Sequence, residues 1–293
     1  MQLSQTPTIG ALWRGWRDVL SRLGFATAAL DAKLLTQHGL GLSALELATQ
    51  ENETVDESGA ARVADLLQRR MTGESVARII GVRAFYGLDF ALNAATLEPR
   101  PDTELLVDLA LAAMPEGGTV LDLGTGTGCI AIAVLANMAG ISAVGVDLSP
   151  LALQAAQANA ARHGVAERLT LLEGSWFEPL PAQRFELIVA NPPYIASAVI
   201  ETLAGEVRDF DPQLALDGGP DGLAPYRIIA RHAGRFLQEN GQVLVEIGHD
   251  QGASVSALFL EAGYEDVSVR QDLAGLDRVV CVRHMGAGIE CSF

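Results

Sequence analysis

The stretch DLGTGTG at 122–128 follows the apolar run TVLDL at 119–123 and leads into a second apolar run, CIAIAVLA at 129–136. Glycines at alternate positions let the backbone turn tightly and approach a ligand closely. The helix predicted to begin after them presents free N–H groups at its start. A strand, a glycine turn and a helix in this order are typical of open α/β sheets that bind ligands at the ends of their strands. An ordinary tight turn is the plain alternative.

Apolar runs of the same kind recur along the rest of the chain and predict the other strands of one sheet. Alanine-rich helical stretches separate the earlier runs, which indicates a largely parallel sheet covered by helices on both faces. Only residues 271–277 separate the last two runs. We therefore expect those two strands to pair antiparallel at the sheet's edge. The predicted strands are 119–123, 143–147, 169–173, 187–190, 242–247, 266–270 and 279–283.

The first 80 or so residues differ from this pattern because they contain no predicted strand. Leu12, Trp16, Val19 and Leu23 recur at helical spacing, and Gly24 then interrupts the segment. Further short amphipathic runs follow. The pattern predicts a small helical bundle.

The two parts are joined by residues that look extended. Residues 84–92 and 95–97 indicate two short extended pieces, followed by Pro99-Arg100-Pro101. We interpret them as a hairpin-like connector. The predicted domains are a helical domain at 1–80, the connector at 81–104, an α/β domain at 105–285 and a tail at 286–293.

The composition limits the classes of function. Apolar residues make up 49% of the chain, enough for a sizeable core, and the net charge is −16. An acidic chain favours a protein partner over direct contact with nucleic acid. Cys129, Cys281 and Cys291 lack metal-ligand spacing, so we expect no metal. With no secretory pattern at the N-terminus, and an apolar run at 129–136 too short to span a bilayer, we expect a cytoplasmic protein that does not contact membranes.

A second signal for a nucleoside ligand lies at the end of the next predicted strand. Asp147 ends that strand, and Ser149 and Pro150 begin a helix as N-cap and first-turn proline. A carboxylate there can accept hydrogen bonds from both ribose hydroxyls of an adenosine. The glycine turn follows an acid, Asp122, which S-adenosylmethionine tolerates because it carries a cationic sulfonium and no phosphate. These features alone leave a dehydrogenase possible.

The sequence Asn191-Pro192-Pro193-Tyr194 favours an S-adenosylmethionine-dependent enzyme over a dehydrogenase. It directly follows the predicted strand 187–190, at the edge where ligand crevices form. A residue before proline is held extended, and two prolines stiffen the loop. The Asn191 side chain and the Pro192 carbonyl are then fixed as hydrogen-bond acceptors aimed into the crevice. Tyr194 offers a flat face on which a planar group can stack.

This arrangement suits methyl transfer to an amide-type nitrogen. Such a nitrogen is a poor nucleophile because its lone pair is delocalised. Two acceptors that hold its two N–H hydrogens orient it for in-line attack, so positioning and electrostatics carry the reaction. A structural Asn-Pro turn is the plain alternative.

Together these motifs resemble those of the protein-(glutamine-N5) methyltransferases that modify peptide chain release factors. The similarity runs from about residue 73 to about residue 282. Glu98 and Asp102 are small departures from the family's usual residues. Besides the glycine turn and Asn191–Tyr194, the matching segments are RIIG at 78–81, FYG at 85–87, LEPRPDTE at 97–104, LDGGPDGL at 216–223, EIG at 246–248 and QG at 251–252.

The resemblance implies a class I S-adenosylmethionine-dependent methyltransferase, in which a hairpin joins a small helical domain to a Rossmann-like seven-stranded α/β sheet. The acceptor would be the glutamine of the Gly-Gly-Gln motif of a release factor, and the product S-adenosylhomocysteine. Residues 191–194 would grip the glutamine amide. We also expect a monomer. The cofactor contacts implied are Gly124, Thr125, Gly126, Thr127, Gly128, Asp147, Trp176 and Asn191, the last touching cofactor and substrate alike.

Two details beside the site are left as alternatives. Arg100 and Glu104 form either an ion pair that anchors the connector or an ordinary surface pair. Residues 216–223 form either a loop that shapes the substrate mouth or a plain glycine-rich turn, and the resemblance favours the loop.

Three other functions fit parts of the sequence. A sister enzyme acting on the glutamine of a ribosomal protein would need the same motifs. Amino-group DNA methyltransferases also use Asn-Pro-Pro-Tyr, but the 20 basic residues against 36 acidic ones speak against a polyanionic substrate. A non-catalytic S-adenosylmethionine-binding scaffold would have no need of an amide grip.

Overall fold

A computed structural model describes residues 6–284. The predicted tail at 286–293 and Cys291 lie outside the described residues. The chain divides into two compact units between Gly81 and Val82. Within the described part, no single helix reaches the length and apolarity that a membrane span requires.

The N-terminal unit is helical, as the periodicity predicted. Its core includes the fully buried Leu20, Ala32, Leu35, Val63 and Leu67. Side chains fix where the helices begin: for example, Ser43 and Glu46 form a reciprocal capping box. The helices are α1 (Ile9–Arg22), α2 (Ala28–Leu40), α3 (Ala44–Thr49), α4 (Glu57–Met71) and α5 (Val76–Ile80).

The second unit begins with a two-stranded hairpin of β1 (Val82–Phe85) and β2 (Leu88–Ala91). Our prediction of two extended pieces at 84–92 and 95–97 was wrong in its division. The turn lies inside the first piece, because Tyr86 and Gly87 both take positive φ, 50° and 73°. Two such residues make the tight turn that matches the twist of paired strands. Residues 95–97 form no strand.

The seven predicted strands form one sheet in the order β5-β4-β3-β6-β7-β9-β8. The first five in chain order are parallel, and β9 pairs antiparallel with both β7 and β8. The expected antiparallel pair at the edge is confirmed, with β8 outermost. The strands are β3 (Thr119–Leu123), β4 (Ser142–Asp147), β5 (Leu169–Glu173), β6 (Phe185–Ala190), β7 (Leu237–Glu246), β8 (Asp266–Gln271) and β9 (Asp277–Arg283).

Helices cover both faces of this sheet. Along β6, Leu187 and Val189 pack into one core cluster and Ile188 and Ala190 into the other, because side chains alternate across a strand. Both clusters are apolar, which explains why the strands are nearly continuous apolar runs. The helices are α6 (Glu104–Ala113), α7 (Cys129–Asn137), α8 (Pro150–Arg162), α9 (Gly205–Arg208), α10 (Ala224–His232) and α11 (Gly252–Glu261).

The strand order reverses between β3 and β6, which are hydrogen-bonded neighbours. From β3 the chain proceeds outward to β4 and β5, then returns to β6 on the other side. Ligands of open α/β sheets bind at the carboxyl ends of the strands at such a point. The glycine turn follows β3 and Asn191 follows β6, so the fold brings the two predicted motifs to this point.

Candidate active site

Three backbone N–H groups of the glycine turn after β3 donate to acceptors at the end of β4. Gly124 and Thr125 donate to the Val146 carbonyl at 2.8 and 3.0 Å, and Gly126 donates to Asp147 Oδ2 at 2.8 Å. A pyrophosphate-binding turn needs these donors for its ligand. Because they already have acceptors, the turn suits a ligand without phosphate.

The acid of this turn lies in the protein interior. Asp122 is fully buried, and its Oδ2 accepts hydrogen bonds from the Thr125 hydroxyl at 2.7 Å and the Ala131 N–H at 3.3 Å. Burial raises its pKa to about 6. Asp122 therefore supports the turn from the protein interior. It does not line the cavity next to the turn, so our expectation that it lies beside the ligand was wrong.

Asp147, at the end of β4, lines that cavity as predicted. Its Oδ2 accepts from Gly126 N–H and its Oδ1 from Ser149 N–H, at 2.8 and 2.9 Å. Burial raises its pKa, and the backbone hydrogen bonds oppose that shift. Each carboxylate oxygen has a second lone pair, so both remain able to accept from ribose hydroxyls.

A cavity of about 680 Å³ opens at the carboxyl ends of β3, β4 and β6. This volume lies within the range of about 300 to 1,000 Å³ of small-molecule sites. Of the residues predicted to contact the cofactor, all but Gly128 line it: Gly124, Thr125, Gly126, Thr127, Asp147, Trp176 and Asn191. A Cβ at Gly128 would lie 2.8 Å from Ile132 Cδ1 and 3.2 Å from Ala156 Cβ, so this glycine lets α7 and α8 pack closely.

The lining fits S-adenosylmethionine. Its carboxylates are those of Glu98, Asp147 and Asp217, against one guanidinium, that of Arg100. Such a surplus of negative charge suits a ligand with a sulfonium and an ammonium group. Leu148 and Trp176 add apolar surface, and Trp176 takes a φ of +49°, an unusual conformation for a tryptophan.

A second, smaller cavity of about 20 Å³ adjoins the loop after β6. Pro192 and Tyr194 line it, Pro193 faces the larger cavity, and Asn191 lines both. Three of the four residues predicted to grip the amide thus line the smaller cavity, and Asn191 lies where the two cavities meet; the grip itself stays a prediction. Burial raises the pKa of Tyr194, so its hydroxyl stays neutral.

The segment at 216–223 braces this loop through its backbone. Ile195 N–H donates to the Leu216 carbonyl at 3.0 Å, and Gly218 N–H donates to the Ile195 carbonyl at 2.8 Å. Gln251 adds a side-chain hydrogen bond to the Tyr194 carbonyl at 3.1 Å. Gly218 and Asp217 also line the larger cavity. The segment is therefore part of the lining and supports the loop at 191–194, and its role at the substrate mouth stays a prediction.

The expected ion pair between Arg100 and Glu104 is not formed. Arg100 instead lies 3.7 Å from the Asp211 carboxylate, and Glu104 Oε1 accepts from the Tyr86 N–H at 2.8 Å. The hairpin turn at Tyr86 presents a free N–H, which the carboxylate at the start of α6 takes up. Glu98, one of the departures from the family's usual residues, pairs with Arg83 at 3.2 Å.

Sequence reasoning missed two polar residues behind Asn191. Asn191 Nδ2 donates to Thr103 Oγ1 at 3.1 Å, and the Thr103 hydroxyl lies beside the carboxylate of Glu246, whose pKa it lowers by hydrogen bonding. Glu246 ends β7, is 1% exposed and lines the smaller cavity. An acid that ends an apolar strand beside Asn191 is the signal that could have revealed it.

Among the described residues, no cluster of three or more His, Cys, Asp or Glu side chains could hold a metal ion. Cys129 and Cys281 carry free thiols. Burial raises the pKa of Cys129 to about 12, so this thiol is no nucleophile at neutral pH.

Known protein families and sequence relatives that match this chain are methyltransferases. Residues 11–81 match the family described as PrmC N-terminal domain, and residues 100–207 match the family described as Methyltransferase small domain. The release factor glutamine methyltransferase of Agrobacterium fabrum is 46% identical over 282 residues, which cover 94% of this chain and 97% of the relative. That of Geobacter sulfurreducens is 42% identical over 264 residues, covering 90% and 92%.

Among solved structures, a methyltransferase from Pyrococcus furiosus covers 76% of this chain and 100% of its own, with a TM-score of 0.53 at 16% identity. This likeness concerns the fold alone. The chain belongs to the release factor glutamine methyltransferases, and it is an S-adenosylmethionine-dependent enzyme of the class I α/β fold.

Proposed function

We propose that this enzyme methylates the side-chain amide nitrogen of the glutamine in the Gly-Gly-Gln motif of peptide chain release factors. S-adenosylmethionine is the donor and S-adenosylhomocysteine the product. The position of Asn191 carries the proposal, since within the loop at 191–194 it alone lines both the large cavity and the small pocket beside it. A methyl group that passes from one ligand to the other would pass beside this side chain.

In this proposal the larger cavity holds the cofactor. Asp147 accepts from the ribose hydroxyls, Trp176 and Leu148 flank the adenine, and the turn at 124–127 approaches the rest of the molecule. When bound, S-adenosylmethionine supplies an electrophilic methyl group on a cationic sulfur. The carboxylates of the lining match that positive charge.

The smaller pocket holds the acceptor amide. Because Asn191 Nδ2 already donates to Thr103, its Oδ1 is left to accept one amide hydrogen. The Pro192 carbonyl accepts the other, and Pro193 stiffens the loop that carries both. Tyr194 stacks on the planar amide. The two acceptors orient the nitrogen lone pair and favour the tetrahedral geometry of the transition state.

The same proposal assigns the remaining parts of the chain. The helical domain at 1–80 docks the release factor, and the connector at 81–104 joins it to the methyltransferase domain at 105–285. The enzyme acts as a monomer in the cytoplasm, on a protein and without direct contact to nucleic acid. The net charge of −16 supports the choice of a protein acceptor over a polyanion.

Transfer of labelled methyl from S-adenosylmethionine to purified release factor tests the proposal. The release factor is compared with a variant whose Gly-Gly-Gln glutamine is replaced, and a ribosomal-protein fraction and adenine-containing DNA serve as alternative acceptors. We expect label on the unaltered release factor alone. Label that persists on the glutamine variant, or that appears mainly on ribosomal protein or on DNA, overturns it.

A further inference from the structure

Three polar side chains from distant parts of the sequence form a chain beneath the amide pocket. Asn191 Nδ2 donates to Thr103 Oγ1 at 3.1 Å, and the Thr103 hydroxyl lies beside the Glu246 carboxylate, whose pKa it lowers by hydrogen bonding. Thr103 and Glu246 are 2% and 1% exposed. Glu246 Oε2 finds no hydrogen-bond partner among residues 6–284. Burying a carboxylate so incompletely satisfied costs stability, which calls for a functional explanation.

The direction of these hydrogen bonds follows from the chemistry of the groups. A hydroxyl has one hydrogen to donate, and an ionised carboxylate only accepts. Thr103 must therefore donate to Glu246, which leaves its oxygen lone pairs facing Asn191. An oxygen acceptor there selects the Nδ2 end of the Asn191 amide and turns Oδ1 away from Thr103.

We propose that ionised Glu246 is a positioning residue that, through Thr103, holds the Asn191 amide with its Oδ1 toward the acceptor nitrogen. The inference rests on the proposed function, since it concerns the orientation of the amide grip. A protonated Glu246 donates to Thr103 instead. The Thr103 hydrogen is then free to bond Asn191 Oδ1, and the amide can rotate so that Nδ2 meets the acceptor amide. Two N–H groups repel each other, so this orientation does not bind the acceptor productively.

The surroundings of Glu246 make its charge responsive to pH. Burial raises its pKa to about 7, while the Thr103 hydrogen bond and the Arg278 guanidinium oppose that rise. The carbonyl of Glu246 accepts from the Tyr226 hydroxyl at 2.7 Å, which fixes its backbone. The titratable and charged groups that interact electrostatically with its carboxylate are Arg100, Asp102, Cys129, Tyr194, Tyr226 and Arg278.

The test compares Thr103→Val, which removes the hydroxyl at nearly constant volume, with Thr103→Ser, which keeps it. In the wild-type enzyme, kcat for release factor should rise with pH through about 7, where Glu246 ionises. We expect Thr103→Val to lower kcat by roughly 10- to 100-fold and to abolish this rise, while Thr103→Ser stays within about threefold of wild type. The KM for S-adenosylmethionine should change little. Thr96→Val, which removes another buried hydroxyl of the same connector, should leave the pH profile unchanged.

A second readout does not depend on activity. The side-chain NH₂ resonance of Asn191, observed by NMR after selective labelling of asparagine with ¹⁵N, should shift with a midpoint near pH 7 in wild type. This shift should be absent in Glu246→Gln and in Thr103→Val. Glu246→Gln also serves if Thr103→Val fails to fold.

The outcomes separate this inference from the proposed function. If no methyl reaches release factor but the Asn191 resonance follows Glu246, the proposed function fails and the positioning role stands. If release factor is methylated but kcat and its pH profile are the same in wild type and Thr103→Val, the positioning role is overturned. Equal losses in Thr103→Val and Thr103→Ser would also overturn it, because the hydroxyl would then not be the cause.

Discussion

The two halves of the active site contrast in size and in how their polar groups are satisfied. The cofactor half is a cavity of about 680 Å³. In its glycine turn, the N–H groups of Gly124, Thr125 and Gly126 already have acceptors at the end of β4. The acceptor half is a pocket of about 20 Å³. Its polar chain runs from Asn191 through Thr103 to Glu246, across three distant segments, and ends on a buried oxygen without a partner among residues 6–284.

The two halves therefore differ in how far their structure is fixed before a ligand binds. The turn of the cofactor half is largely fixed before a ligand binds, because the N–H groups of Gly124, Thr125 and Gly126 already have acceptors. The acceptor half holds an ionisable group in a place where its charge is disfavoured. Strain of this kind is typical of the site where the chemistry occurs. The contrast predicts that substitutions in the cofactor half change the affinity for S-adenosylmethionine. Substitutions in the acceptor half should change kcat or the pH dependence of stability.

The largest effect is expected at the junction of the halves. Asn191→Ala removes the acceptor for one amide hydrogen, so kcat should fall by roughly 10²- to 10³-fold, as when one preorganised hydrogen bond to a transition state is lost. Single-turnover kinetics with labelled S-adenosylmethionine measures this. Asn137→Ala, at an exposed position on α7, is the matched control and should keep wild-type kcat. A kcat of Asn191→Ala near wild type would remove this residue from the grip.

The next effect concerns stability. The pKa of Glu246 in the folded protein is about 7, above the ordinary value of 4.5. The folded state therefore holds the proton more tightly than the unfolded chain, and the stability this contributes is complete below pH 4.5 and is lost as pH rises through about 7. Glu246→Gln, which cannot ionise, should exceed wild type in free energy of unfolding by roughly 3 kcal/mol at pH 8 and by less than about 1 kcal/mol at pH 5.

Urea unfolding at the two pH values checks this prediction. Glu173→Gln, at the exposed end of β5, is the control and should show no such pH-dependent gain. If Glu246→Gln is no more stable than wild type at pH 8, then the buried carboxylate is not under the strain that distinguishes the acceptor half.

A smaller effect is expected from the segment that braces the acceptor loop. Gly222 has a φ of +73°, and a Cβ there would collide with the Tyr194 carbonyl oxygen. Gly222→Ala should displace the loop and lower kcat roughly 10- to 30-fold, while the dissociation constant of S-adenosylmethionine changes less than threefold. Gly275→Ala, with a φ of +78° and no neighbour within 4 Å, carries the same backbone strain without the collision. Equal kcat values in the two variants would contradict the bracing role.

The smallest effect is expected in the cofactor half. Asp147→Asn keeps one oxygen but loses the charge and one acceptor, so S-adenosylmethionine should bind roughly five- to tenfold more weakly, with kcat at saturation little changed. Isothermal titration calorimetry measures the affinity. Asp266→Asn, on the edge strand β8, should bind as wild type does. A large loss of kcat with unchanged affinity in Asp147→Asn would contradict the assignment of this half to the cofactor.

The same contrast explains what sequence alone could predict. The turn at 124–128, Asp147 and the loop at 191–194 are contiguous motifs at strand ends, so their chemistry and the sheet followed from local patterns. The chain from Thr103 to Glu246 was missed because it joins residues 143 positions apart in sequence through tertiary packing. Arg100 and Glu104 were paired wrongly for the same reason, since their partners are Asp211 and the backbone of Tyr86.

The division of the connector was a local error of another kind. The two-residue turn at Tyr86 and Gly87 requires positive φ at a tyrosine, which few side chains favour. Residues 84–92 therefore looked like one continuous extended piece. The expectation that Asp122 lies beside the ligand was wrong because an acid at a strand end can face either the ligand or the core. The hydrogen bonds that it accepts from Thr125 and Ala131 hold it in the core.

Tandem mass spectrometry of release factor after reaction with the enzyme tests the central claim most directly. The account predicts one added methyl group on the side-chain nitrogen of the Gly-Gly-Gln glutamine, formed by wild-type enzyme and nearly absent with Asn191→Ala. A methyl group found on another residue, or formed equally well by Asn191→Ala, would contradict the account.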